Sequence, residues 1–183
     1  MFYIKVNHAQ VPTLVLPQAL TVTKNAGELT SKGIELEVSV TPSKGLQFDY
    51  SFGYTDAKYN KLLVPSQGLE VDLEGNRQVF TPEITSMLAA QYSYQLSEWQ
   101  KLKVVVRGEW MAIGDQYFDL ANTIKQEAYH LFNARAGFAG TNFEVMFWMR
   151  NITDKRYISY AYDFGGTHLG DPKNFGVTLR GMF

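Results

Sequence analysis

The side chains that could do chemistry are present in number but not in arrangement. Three histidines, His8, His130 and His168, lie far apart and have no partners at metal-ligand spacing, so no metal site is expected. The chain has no cysteine, which removes disulfides, thiolate zinc sites and cysteine nucleophiles together. None of the nucleophile-elbow, zinc-protease or phosphate-loop spacings occurs. Carboxylates are plentiful, but the two-residue spacing of Glu35 and Glu37 puts them on one side of a strand. We read that pair as solvated wall charge rather than as an acid–base couple. No catalytic residue and no cofactor is expected, and the chain does not read as an enzyme.

The elements that carry these residues are strands. A net charge of −1, from 17 basic and 18 acidic residues without a basic stripe, gives no argument for nucleic acid. Twelve Phe, eleven Tyr and three Trp in 183 residues favour an all-β protein. No stretch approaches the roughly 18 apolar residues of a membrane helix. Period-2 alternation instead runs from end to end. Residues 2–10 open the series, and 20–40 follow as one long strand with a bulge expected near Gly27 or Gly33. In 46–60, Leu46, Phe48, Tyr50, Phe52 and Tyr54 oppose Gln47, Asp49, Ser51, Gly53 and Thr55. Similar runs centre on Leu88–Leu96, Leu102–Trp110, Phe132–Phe138, Phe143–Met149 and the closing Asn174–Phe183. Eight strands result. Tight turns are expected near 42–45, 97–101 and 140–142, and long links near 11–19, 60–82, 119–127 and 155–172.

Alternation alone leaves open which solvent the apolar face meets. A soluble sandwich or lipocalin-like barrel turns that face inward. Three features favour lipid. The strands are long for soluble sheets but fit a tilted membrane crossing of about 9–11 residues. Their polar face carries whole charges, among them Glu35, Asp49, Lys103, Arg107, Glu109, Arg135, Glu144, Arg150 and Arg180, which an aqueous lumen accepts. Aromatics gather at strand ends (Tyr50, Tyr54, Tyr92, Tyr94, Trp110, Phe132, Phe143, Phe183), as interfacial girdles require. The alternation of short turns with long loops adds to this, because outer-membrane barrels have short periplasmic turns and longer extracellular loops.

Four segments then resemble one family. "NAGELTSKGIELEVSV", "HLFNARAGF", "MRNITDKRYISYAYDFGG" and "GDPKNFGVTLRGMF" are similar to the C-terminal barrel of TonB-dependent outer-membrane receptors, the siderophore receptors especially. Asn151-Ile152-Thr153-Asp154-Lys155-Arg156-Tyr157 matches the family's N-[LI]-[TF]-[DN]-x-x-Y strand end. Gly170 to Gly176 matches the element before its final strand. The resemblance extends over essentially all 183 residues. It implies an all-β, antiparallel up-and-down transmembrane barrel segment of about eight strands, in a bacterial outer membrane. Residues 1–183 would be the C-terminal part of the barrel, with the plug domain and the earlier strands outside this chain, which opens on the strand-like "MFYIKVN".

The same resemblance supplies partners and a site. It implies outer-membrane lipid, a ferric siderophore or similar iron chelate bound by the complete receptor, TonB contacted through the N-terminal region, and the barrel-assembly machinery. In the family, aromatic and basic loop residues grip the chelate, which here points to Arg77, Phe80, Tyr117, Phe118, Tyr160, Tyr162, Phe164 and His168. The closing strand resembles an assembly signal, with Phe175, Val177, Leu179 and the terminal Phe183 at alternate positions and Gly181 departing from the pattern. Asn151-Ile152-Thr153 also fits a glycosylation acceptor, which we treat as coincidence in a chain of this kind. Two other readings remain at this stage. One is a self-contained eight-strand barrel with a structural or small-pore role; the other is a soluble barrel holding an apolar ligand inside.

Overall fold

The computed structural model describes residues 1–15, 20–66, 69–98, 101–162 and 166–181. Eight strands form one antiparallel meander: β1 (Phe2–Val15), β2 (Leu20–Ser43), β3 (Leu46–Ser66), β5 (Ile84–Ser97), β6 (Leu102–Ile113), β9 (Tyr129–Ala139), β10 (Phe143–Arg150) and β13 (Asn174–Gly181). These are the eight that alternation predicts. Short β4 (Leu69–Asp72) folds back on the end of β3, and two small hairpins, β7 (Gln116–Tyr117) with β8 (Lys125–Gln126) and β11 (Ile158–Ala161) with β12 (Thr167–Leu169), stand in the long links.

Lys44 and Gly45 turn β2 into β3. Gly45 sits at φ 84°, and its carbonyl accepts the Ser93 amide at 2.7 Å, which ties this turn to β5. The turns after β5 and β9 lie on the same rim, as does the end of β13, where Gly181 pairs with Phe143. The opposite rim carries the long excursions. The expectation of a long link at 11–19 is corrected over 11–15, where β1 continues to Val15, paired with Leu20; residues 16–19 lie outside the described residues. The expected bulge falls near Gly27 and not at Gly33. His8 is an extra residue in β1 between the pairs Asn7–Glu28 and Ala9–Gly27, and Asn60 is extra in β3 opposite Glu28–Leu29.

The sheet has two unlike faces and no second layer among the described residues. Its apolar stripe is uncovered: Ile34 is 48 % exposed, Phe147 57 % and Leu179 74 %. A soluble protein of this size cannot leave such a continuous stripe in water. The other face is concave and polar, with a hollow of about 300 Å³ lined by Arg107, Glu109, Arg135, Glu144, Trp148 and Arg180. There Ala89, fully buried, separates Asp49 from Glu109 in register. Its small side chain lets Arg107 reach over it to Asp49 at 2.9 Å while holding Glu109 at 2.7 Å. Gln47 and Ser39 donate to the same Asp49, each at 2.7 Å, so the charge is shared across the wall.

Two alternatives fall here. A soluble barrel with an apolar interior requires the faces reversed. A self-contained barrel requires β1 to meet β13, yet among the described residues β1 pairs only with β2 and β13 only with β10.

Candidate functional site

β2 and β3, at 24 and 21 residues, are about twice as long as a membrane crossing needs, so their upper halves stand above the membrane. There the inner face changes character. Leu29, Tyr59, Leu62 and Val64 bury one another, with Ala9, Leu73 and Leu120 packed against them. Leu62 has no exposed surface. This small core fixes the loops: Leu73 comes from the link after β4, and Leu120 from the link between β7 and β8.

Residues 72–83 return along β3 through backbone bonds, including Tyr59 N–H to Asn76 O and Gln78 N–H to Ala57 O, both 2.9 Å. The 114–128 excursion docks on that returning strand through Asn122. Its Oδ1 accepts the Arg77 amide at 2.7 Å, and its Nδ2 donates to the Arg77 carbonyl at 3.1 Å. Asp119, nearly buried, closes the turn below by accepting from the Thr123 amide and hydroxyl and the Ile124 amide.

Arg77 is the centre of the ionic contacts. Its guanidinium donates to Asp115 Oδ2 at 2.9 Å and to the Asp115 carbonyl at 3.1 Å, and lies 5.4 Å from the centre of the Tyr117 ring. Glu83 is 3.9 Å away, and Lys125 joins Asp115 at 3.4 Å. Burial alone raises the Asp115 pKa, but the hydrogen bond from Arg77 and the charges of Arg77 and Lys125 outweigh it, holding the carboxyl below its ordinary range. Lys125 is pushed up, first by its hydrogen bond to Glu127; burial works against this, and the charge of Asp115 adds to it.

The third excursion completes the cluster. Phe80 stacks on Tyr160 at 5.1 Å and 14°, with Phe118 at 5.5 Å on another side. Tyr162 meets Tyr160 edge-on at 4.7 Å, and His168 stands 6.4 Å from Tyr160 and 6.0 Å from Tyr162. Phe80 holds φ 56°, a conformation that costs a bulky residue about 1–2 kcal/mol, and its amide donates to the Tyr117 carbonyl at 2.8 Å. Of the eight loop residues singled out in the sequence, seven therefore converge from three separate excursions. Phe164 lies outside the described residues. Their roles within the cluster differ: Phe80, Tyr160 and Tyr162 present ring surface outward, Phe118 is buried beneath, and Arg77 is engaged by carboxylates.

Asn151 anchors the third excursion. It is 4 % exposed, at φ 46°, which also closes the glycosylation reading. Its Oδ1 accepts the Lys155 amide, and its Nδ2 donates to the carbonyls of Lys155 and Asp171, all at 2.9 Å. Asp154 accepts the Lys173 amide at 2.9 Å. Tyr157 stacks on Tyr129 at 4.4 Å and fills the space where a side chain on Gly170 would stand. The two short motifs around 151–157 and 170–176 are thus one folded unit. Asp115, Asp119 and Asn122, which organise the middle excursion, were not legible as site residues; the only signal was a D-x-x-x-T spacing at Asp119–Thr123.

An open antiparallel meander with an uncovered apolar face, a charged concave face and tall loops on one rim defines a section of a membrane β-barrel. The family model described as "TonB dependent receptor-like, beta-barrel" matches residues 1–152, and the chain belongs to that family. Among curated relatives, the ferrichrome outer membrane transporter/phage receptor of Escherichia coli is 25 % identical over 174 residues, covering 91 % of this chain. The ferrioxamine B receptor of Salmonella typhimurium is 27 % identical over 170 residues, covering 87 %. The chain spans about 22 % of the length of either. Among solved structures, the ferric yersiniabactin uptake receptor of Yersinia pestis superposes over 99 % of this chain and 26 % of its own, with a TM-score of 0.79 at 20 % identity. The Escherichia coli relative is by name an outer-membrane transporter, and the outer membrane is where this barrel segment belongs.

Proposed function

We propose that residues 1–183 form the C-terminal part of the barrel of a receptor that imports a ferric siderophore or a similar iron chelate. The observation that carries this reading is the rim cluster, in which three distant excursions bring Phe80, Tyr160 and Tyr162 to one outward-facing surface. Ring faces and edges of that kind grip planar or cationic groups of a chelate, and His168 adds a polar partner beside them. Arg77, Tyr117 and Phe118 support the surface from below, and Phe164 belongs to the same loop by sequence. The names of the relatives, which print ferrichrome and ferrioxamine B, supply the substrate class. TonB would act through a region outside this chain. Phe175, Val177, Leu179 and Phe183 would present the closing strand to the barrel-assembly machinery; Phe183 lies outside the described residues.

The test uses the full-length receptor in detergent, titrated with a panel of ferric chelates while its tryptophan fluorescence is followed. Saturable quenching by at least one chelate is expected, weakened about 2- to 12-fold by Phe80→Ala or Tyr160→Ala. No binding across the panel would end the transport reading. Binding untouched by either substitution would move the ligand away from this rim.

A further inference from the structure

The ring surface of the rim also bears on the charge of what it can hold. Phe80 is 42 % exposed and Tyr160 40 %, so a ligand can reach both. Phe80 meets the rings of Phe118 and Tyr160, and Tyr160 meets those of Phe80, Tyr162 and His168. The surface is therefore built of ring faces, ring edges and hydroxyls, with one imidazole at its border. Aromatic faces carry the negative side of the ring quadrupole, which attracts cations and repels anions.

An anionic chelate would need a free cation beside those rings. Residues 69–83 and 114–128 carry one cation each, Arg77 and Lys125. Both are held by carboxylates: Arg77 by Asp115 at 2.9 Å with Glu83 at 3.9 Å, and Lys125 by Glu127 at 3.1 Å and Asp115 at 3.4 Å. They also stand on the far side of the β7–β8 hairpin. Tyr117 and Lys125 are register partners and share a face, so Phe118, the next residue, points to the other. Arg77, over the Tyr117 ring, lies with Lys125 behind Phe118. Around these two cations the same segments carry seven carboxylates, four in 69–83 and three in 114–128.

The third excursion does not reverse this balance. Residues 151–173 hold three carboxylates and three cations, Lys155, Arg156 and Lys173, and none of these cations stacks on a ring among the described residues. Stripping water from an anion against the Phe80–Tyr160 surface thus has no compensating charge. The surplus of carboxylates adds a negative field over the rim.

We propose that this rim selects its chelate by charge, taking neutral and cationic ferric chelates and rejecting polyanionic ones. Glu83 and Glu127 are specificity-determining residues, because with Asp115 they keep Arg77 and Lys125 occupied. This selectivity rests on the reading that the chelate binds at the Phe80–Tyr160 surface.

The experiment titrates the full-length receptor in detergent at low ionic strength, followed by tryptophan quenching. Four ferric chelates are built on one linear tris-hydroxamate: a cationic form ending in an ammonium, its neutral N-acetyl form, its anionic N-succinyl form, and the neutral methyl ester of the last. A polyanionic iron tris-catecholate is the fifth probe. The cationic form is expected to bind at least as tightly as the two neutral ones, and the anionic form about tenfold or more weakly. Added salt and the double variant Glu83→Gln/Glu127→Gln each narrow that gap about threefold, whereas Lys155→Gln/Arg156→Gln leaves the order unchanged. Equal or tighter binding of the anionic form overturns the selectivity. So does a gap that neither salt nor the double Gln variant changes, or an ester as weak as the acid, since bulk and not charge would then set it. The tris-catecholate bound in preference to the whole series also overturns it, yet leaves the import reading standing. A folded receptor that binds no chelate of either kind defeats the import reading itself, which is a different result.

Discussion

The wall and the excursions above it are built on opposite principles. In the wall, backbone ladders join neighbouring strands in near-unbroken register, and apolar side chains face outward without packing against any second layer. Above the rim, regular pairing thins out and stability comes from burial and side-chain hydrogen bonds: the Leu29–Tyr59–Leu62–Val64 cluster, the Asp119 turn, the Arg77–Asp115 pair and the Asn151 anchor. The wall needs lipid to supply its missing layer, while the excursions carry their own. Substitutions should therefore act through solvent-facing character below and through specific contacts above.

The largest effect is expected in the wall. Val38→Arg places a charge on the lipid face near the bilayer centre and should cost about 2–4 kcal/mol, while Glu37→Arg, one residue away on the concave face, should cost well under about 1 kcal/mol. Denaturant unfolding in lipid vesicles checks the pair; equal costs would erase the distinction between faces. Next comes Asn151→Ala, which strands the Lys155 and Asp171 carbonyls and the Lys155 amide and removes the side-chain hydrogen bonds that hold residue 151 in the left-handed region, at about 2–4 kcal/mol. Hydrogen exchange should show 151–173 loosened and β6 unchanged. Loss of protection across both would mean that the excursion and wall are not separable.

Arg77→Ala is smaller, about 1 kcal/mol after solvent screening. Its signature is pH. Because Asp115 is held below its ordinary value, the contact stabilises the rim fully above the ordinary carboxylate range and is lost as pH falls through the lowered value. In the variant the acid-side loosening of 114–128, followed by exchange or proteolysis, should flatten. An unchanged acid profile would remove Asp115 from the account. Tyr160→Ala is smallest in stability, about 0.5–1.5 kcal/mol for the lost stacking on Phe80, read from thermal unfolding of the rim.

The same division explains what could be read in the sequence. Each of the eight wall strands alternates for long enough to declare itself, and Glu35, Glu37, Asp49 and Arg107 fall on the face that alternation assigns to them. The small hairpins β7–β8 and β11–β12 are two to four residues each, too short for a period to register. Leu62 sits in a stretch that reads as a polar link, and only the fold reveals that it packs against Leu29. The continuation of β1 through Pro12 was hidden because a proline-marked apolar run resembles a loop, yet an edge strand accepts proline. Convergence of Phe80 with Tyr160 needed the tertiary path of three excursions. The loop composition named the residues without fixing which of them would face outward.

The central claim is that the uncovered stripe meets lipid and the charged face meets water. The chain has no native cysteine, so single cysteines can be placed cleanly at 36, 37, 38, 51, 52, 106, 107, 147 and 148 and labelled with an environment-sensitive probe in vesicles. The account predicts strict alternation: probes at 36, 38, 52, 106 and 147 quenched by a lipid-soluble quencher, and those at 37, 51, 107 and 148 by a water-soluble one. Reversed alternation, or the same response at every position, would contradict it.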